Sequence, residues 1–155
     1  RPPLWKSMDE AKEQVLYGLG HCQILKISDN EIQWLTGEED YTEGVKWIRE
    51  RYQIPLILVS MGKAGSRAYY HESVVEVKPF LQKNTIETTG AGDTFCGCVL
   101  HYICEHGLEQ LSEENLTEML TFANAGASII TTRKGALRVM PEKEEICELL
   151  TTYKQ

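Results

Sequence analysis

No stretch of this sequence approaches the roughly 20 consecutive apolar residues of a membrane span, and nothing at its start resembles a signal peptide. An excess of positive charge is missing too: 16 basic residues stand against 23 acidic ones, for a net charge of −7. That balance argues against nonspecific nucleic-acid or acidic-membrane partners, while leaving room for a local basic pocket. An even set of cysteines is lacking. Cys22, Cys96, Cys98, Cys104 and Cys147 are odd in number and scattered, which reads as reduced thiols in a cytoplasmic protein. Cys96 and Cys98 stand two apart in a predicted helix and point to different faces, so no metal is assigned to them. Internal repeats and low-complexity segments are also absent, and no initiator methionine precedes Arg1.

What is there suits one ordinary domain. With 155 residues, 42% hydrophobic and 25% charged, the chain can bury a core without disulfides or a structural metal. Ser7-Met8-Asp9-Glu10 is a capping box, predicting a helix that turns Ala11, Val15, Leu16 and Leu19 inward and stops near Gly18 and Gly20. Cys22 to Ile27 reads as a short strand, Asp29 to Thr36 as a helix ended by Gly37, and Tyr41 to Tyr52 as a helix burying Val45 and Ile48. Pro55-Leu56-Ile57-Leu58-Val59-Ser60 is apolar without alternation, as in a parallel strand covered on both faces. Ser66 to His71 and Val74 to Lys78 form a predicted hairpin. Helices are expected over Gly92 to Glu105, Glu113 to Thr131 and, after Pro141, Glu142 to Tyr153. The order predicts an α/β layered domain with mostly parallel strands, one hairpin and a helical end.

Ligands of open α/β sheets sit beyond the carboxyl ends of the strands. Three segments fall there: Ser28-Asp29-Asn30-Glu31, Met61-Gly62-Lys63-Ala64-Gly65, and Glu87-Thr88-Thr89-Gly90-Ala91-Gly92-Asp93-Thr94-Phe95. In the third, two glycines separated only by alanine leave backbone N–H groups unshielded, and the following helix adds its positive end. The turn suits an anion. Asp93 would repel a bound phosphate, yet could accept a proton from a hydroxyl arriving beside one. From the residues alone it reads equally well as a first-turn acid complementing the helix dipole. No Gly-Lys-Ser/Thr follows either glycine-rich stretch, which excludes a Walker A loop, and Phe95 stands where a dinucleotide fingerprint needs its third glycine.

Thr88 to Phe95, followed by Gly97, resembles the second signature of the PfkB, or ribokinase-like, carbohydrate kinase family. Lys26-Ile27-Ser28-Asp29-Asn30-Glu31 with Leu35-Thr36-Gly37, Ser60 to Ser66, Phe122-Ala123-Asn124-Ala125 and Arg133-Lys134-Gly135-Ala136 are similar to further family segments, in family order. The resemblance implies a ribokinase-like three-layer α/β/α fold. Family proteins are roughly twice this length, with the Gly-Ala-Gly-Asp turn in their last third. The chain is therefore expected to be, over 1–155, the C-terminal nucleotide-binding and catalytic half of a sugar kinase, inactive by itself.

Further implications follow from that likeness. Asp93 would deprotonate the sugar hydroxyl while the amides of Gly90, Ala91 and Gly92 stabilise the transferring phosphoryl group of ATP. Glu31 would serve magnesium through water, although Ser28-x-x-Glu31 is also a capping box. Lys26, Ser28, Ser60, Gly62, Lys63, Gly65 and Asn124 would hold the nucleotide; the family often has asparagine at the position of Ser28. Glu87, Thr89 and Gly135 match a monovalent-cation site, for potassium, where the family more often has aspartate at 87. Arg1-Pro2-Pro3-Leu4-Trp5 resembles the fructokinases of the family, with Arg1 toward the sugar. That implies D-fructose as acceptor, phosphorylated on its 6-hydroxyl, with sugar and ATP as partners and a homodimer as the assembly. Two other readings stand beside it: a noncatalytic nucleotide-binding or dimerising module, and a family kinase for another sugar or nucleoside.

Overall fold

The computed structural model of the protein describes residues 2–153. Six helices and four strands follow in order: α1 (Met8–Leu19), β1 (Ile24–Ser28), α2 (Asp29–Thr36), α3 (Tyr41–Arg51), β2 (Leu56–Ser60), β3 (Ser66–Tyr70), β4 (Ser73–Val77), α4 (Ala91–His106), α5 (Glu113–Ile130) and α6 (Lys143–Tyr153). Local chemistry sets their starts. Ser7 accepts the Glu10 N–H at the head of α1, Ser28 and Glu31 form a reciprocal box on α2, and Asp40 caps α3 through the Thr42 and Glu43 N–H groups. Gly37 ends α2 in the left-handed conformation at φ 83°. Cys22 and Gln23, expected in the first strand, precede it. Single 3-10 turns at Pro2–Leu4, Gly62–Ala64 and Leu137–Val139 were not expected; one turn carries no periodicity to read.

The strands form one sheet in the order β1-β2-β3-β4. One feature of the sequence reading needs correction: only β1 and β2 pair in parallel, while β2–β3 and β3–β4 are antiparallel. A parallel pair needs a long crossover, and only α2–α3 supplies one. The segment 61–65 is short enough to reverse the chain, so β2 and β3 make a second hairpin.

Alternation along β2 builds the layers. Leu56 and Leu58 join α4, α5 and α6 residues in one core, with Phe95, Val99, Leu116 and Ile146. Ile57 and Val59 join Leu19, Ile32, Val45 and Ile48 of α1, α2 and α3 in the other. These four apolar side chains of β2 are fully buried, each contributing roughly 1.5–3 kcal/mol of apolar transfer. The continuous apolar run thus reports burial on both faces. Close helix contacts fix the layers in place: a methyl group on Gly44 would lie 2.1 Å from Ile32 Cγ2, and one on Gly126 2.8 Å from Cys98 Sγ. No helix among the described residues is long and apolar enough to cross a membrane.

Candidate phosphate-binding and catalytic site

Parallel pairing sets Ser28 beside Ser60, and the β2–β3 hairpin sets Ser60 beside Ser66. Three serines therefore cross the sheet in one row where β1 and β2 end. Two-residue alternation from Leu58 and Ala68 turns Ser60 and Ser66 toward the α4–α5 side. Ser66 is fully buried and its hydroxyl has no partner among the described residues. The same alternation from Ile24 turns Lys26 that way. Its Nζ lies 3.3 Å from the point a Cβ on Gly92 would occupy. The bare second glycine of the turn therefore faces a cation.

Gly90 caps α4 in the left-handed conformation, φ 79°, with no side-chain cap. Ala91 N–H donates back to Thr88 O at 3.2 Å, and the helix ladder begins with Thr94 N–H to Gly90 O at 2.8 Å. Between them, the N–H groups of Gly92 and Asp93 have no partner among the described residues. Two free donors at the positive end of a helix make an anion site. The turn is held from behind, because a Cβ on Gly90 would lie 3.1 Å from Ile130 Cδ1 and 3.2 Å from Ala136 Cβ.

Asp93 is exposed and lines a cavity of about 420 Å³ with Lys26, Gly92 and Cys96; Val15, Leu19 and Ile24 form apolar walls. The carboxylate therefore stands in a cleft beside the donors and away from the core, as a proton acceptor requires. Its bland alternative, neutralising the helix dipole, needs no cleft. Thr94, buried at 4% exposure, leaves its hydroxyl without a partner one residue on.

Glu31 lies on the first turn of α2. Its Oε2 accepts the Ser28 N–H at 2.8 Å, and Ser28 Oγ accepts the Glu31 N–H at 3.2 Å. Partial burial opposes its ionisation most strongly, but hydrogen bonds from Ser28 and the charge of Lys26 outweigh that, holding the carboxyl below its ordinary value. It is thus an ionised oxygen donor with one oxygen tied to the backbone. Such a hard, anionic donor fits a hydrated magnesium ion.

The other sequence candidates separate. Gly62, at φ 54°, is exposed with nothing within 4 Å of its missing Cβ, and Lys63 beside it is exposed. Gly65 is used differently: at φ 105° its Cβ would lie 2.2 Å from Val77 O, so its bare backbone serves the approach of β4. Asn124 Nδ2 donates to Val77 O and Lys78 O, both at 3.2 Å, which ties α5 to the end of β4. Neither Gly65 nor Asn124 lines the Asp93 cavity. Glu87 Oε1 accepts the Gly135 N–H at 2.6 Å, bringing two of the three cation-site candidates together, while Thr89 is exposed. Arg1 lies outside the described residues. Sequence reasoning missed Cys96 and the α1 wall of the cavity. Cys96 follows Asp93 by three, so helical spacing placed it on the same face; the α1 wall is a tertiary contact with no local signal.

A family model for pfkB family carbohydrate kinases matches residues 1–143. The chain belongs to the pfkB family of carbohydrate kinases. Among its relatives, Fructokinase-1 of Zea mays is 34% identical over 150 residues, covering 97% of this chain and 46% of the relative. A Vibrio cholerae fructokinase solved with fructose, ADP and calcium ion is 30% identical with a TM-score of 0.85, over 97% of this chain and 48% of that one. A double mutant of the Vibrio cholerae enzyme, solved with fructose, ADP and potassium ion, gives 29% and 0.86, over 97% and 47%. This pfkB-family chain spans about half the length of these relatives.

Proposed function

We propose that the chain is the C-terminal, nucleotide-binding and catalytic half of an ATP-dependent sugar kinase that phosphorylates the 6-hydroxyl of D-fructose. The observation that carries this reading is the exposed Asp93 carboxylate in a cleft, on the turn whose Gly92 and Asp93 N–H groups are free and with Lys26 over Gly92. In this reading the N–H groups of Gly92 and Asp93, with Gly90 and Ala91 shaping the turn, take the negative charge of the transferring phosphoryl group. Lys26, over Gly92, neutralises phosphate charge. Asp93 accepts the proton of the attacking hydroxyl as the new P–O bond forms. Ser60, Gly62 and Lys63 at the end of β2 lie along the nucleotide. Glu31 holds magnesium through water, and that ion, when bound, offsets phosphate charge. Apolar residues of α1 and β1 form one wall beside the reacting atoms.

The fructose assignment draws on the fructokinase relatives and on the sequence around Arg1. Alone, this half lacks the positioning that phosphoryl transfer depends on, so the 155-residue chain binds ATP but turns over poorly. The decisive experiment replaces Asp93 by Asn in the intact kinase and follows ADP release with fructose. Turnover falls about 10²–10⁴-fold with ATP affinity kept within threefold. Equal loss of turnover and ATP binding would make Asp93 a structural residue and sink the assignment.

A further inference from the structure

The likeness to the pfkB family leads to the expectation of a monovalent cation near Glu87, Thr89 and Gly135, and a Vibrio cholerae relative is described in a potassium-bound form. The donor set in this chain does not fit one. Gly135 turns its N–H into the site, and that N–H donates to Glu87 Oε1 at 2.6 Å. A monovalent cation is held by oxygen lone pairs, and an inward N–H dipole repels it. Glu87 lies three residues before Gly90, on a segment whose Ile86 and Glu87 N–H groups both donate to Thr131 O, at 2.8 and 3.3 Å. Gly135 lies in the opposing loop, beside Ala136, whose Cβ packs behind Gly90. That loop is closed by its own contacts: Arg133 Nη1 donates to Val139 O at 3.0 Å, Arg133 pairs with Glu145, and Val139 N–H donates to Ala136 O at 3.1 Å.

We propose that Glu87 is a positioning residue that joins the loop carrying Gly135 to the turn of α4 directly, through its hydrogen bond to the Gly135 amide, so that the phosphate turn of this chain is set without potassium. The length of glutamate is what makes this work. Aspartate, one methylene shorter, falls short of Gly135 from the same backbone and leaves the two segments unjoined. Neither residue lines the Asp93 cavity, so the effect runs through the placement of the Gly90–Asp93 turn. The proposal rests on the nucleotide site described above for its binding readout, but the hydrogen bond itself has a separate one.

The test compares the wild-type chain with Glu87→Gln and Glu87→Asp in 100 mM potassium, sodium or choline chloride. The first readout is the amide resonance and hydrogen exchange of Gly135, without nucleotide. A direct bond leaves the wild-type resonance at the same position in all three salts and its exchange slowed. Glutamine, which keeps the length and an accepting oxygen, preserves that protection, and aspartate loses it. The second readout is MgATP affinity by calorimetry. Wild type and Glu87→Gln stay within twofold across the salts, while Glu87→Asp binds about tenfold more weakly in all three. A potassium-specific shift of the Gly135 resonance in the wild type, or a tenfold gain of its affinity in potassium, would overturn the proposal. So would an aspartate variant that keeps both protection and affinity in choline. If no variant binds MgATP while the Gly135 amide behaves as expected, the nucleotide site is what fails and the direct bond stands.

Discussion

Two glycines two residues apart in the α4 turn should respond to the same substitution in opposite ways. Gly90 sits at φ 79°, and alanine there costs about 1–2 kcal/mol of backbone strain. Its methyl would also press on Ile130 Cδ1 at 3.1 Å and Ala136 Cβ at 3.2 Å, in a packed region where overpacking costs about 1–3 kcal/mol. Gly90→Ala should lose about 2–5 kcal/mol, lowering the melting midpoint by roughly 4–20 °C. Gly92 lies inside α4, where alanine gains about 0.5–1 kcal/mol over glycine. Its methyl meets only the Lys26 ammonium at 3.3 Å, the end of a flexible chain that can swing away. The displaced charge and the shielded N–H weaken phosphate binding by the value of about one charged hydrogen bond, ~1.5–3 kcal/mol, or ~10–100-fold in Kd. Urea denaturation and calorimetric MgATP titration of both variants read the two effects separately. If Gly92→Ala unfolds as easily as Gly90→Ala, or binds MgATP like the wild type, the division of labour in the turn is wrong.

Other perturbations test the scaffold. Gly44→Ala puts a methyl 2.1 Å from Ile32 Cγ2 in the α2–α3 contact; a loss of about 1–3 kcal/mol is expected by denaturant titration, and an unchanged midpoint would mean the helices are not so closely packed. Hydrogen bonding to Arg133 and to the Glu142 N–H holds the Glu145 carboxyl below its ordinary value. Its contribution is thus full above about pH 4.3 and is lost as pH falls through the lower, folded value. Glu145→Gln should therefore make stability less steep between pH 6 and pH 3, with the wild-type slope retained if the pairing with Arg133 is absent in solution.

Much of the scaffold was legible because its signals are local. The capping residues Ser7 and Ser28 set the starts of α1 and α2, and the unbroken Leu56–Val59 run marked a strand buried on both faces. The antiparallel pairing of β3 with β2 was not expected, because Gly62-x-x-Gly65 reads as well as a ligand loop as it does as a turn. Gly65, backed against Val77 O, is equally the pivot of a reversal. Within the site, the turn at Gly90–Asp93 was readable from its glycines and its misplaced acid. The partners of Asn124, 46 and 47 residues distant in the chain, could not be, and neither could the reach of Glu87 to Gly135 across 48. Such contacts are fixed by packing, and no spacing in the sequence encodes them.

The function proposed for this chain depends on a phosphate seated at the head of α4. The most direct measurement is an amide-resonance titration of the 155-residue chain with MgATP. The Gly92 and Asp93 resonances should move furthest, with Lys26, Glu31 and Gly62 following and Gly107 at the far end of α4 staying still. Shifts confined to other parts of the fold, with Gly92 and Asp93 unmoved at saturating MgATP, would contradict the assignment of this turn as the phosphate site.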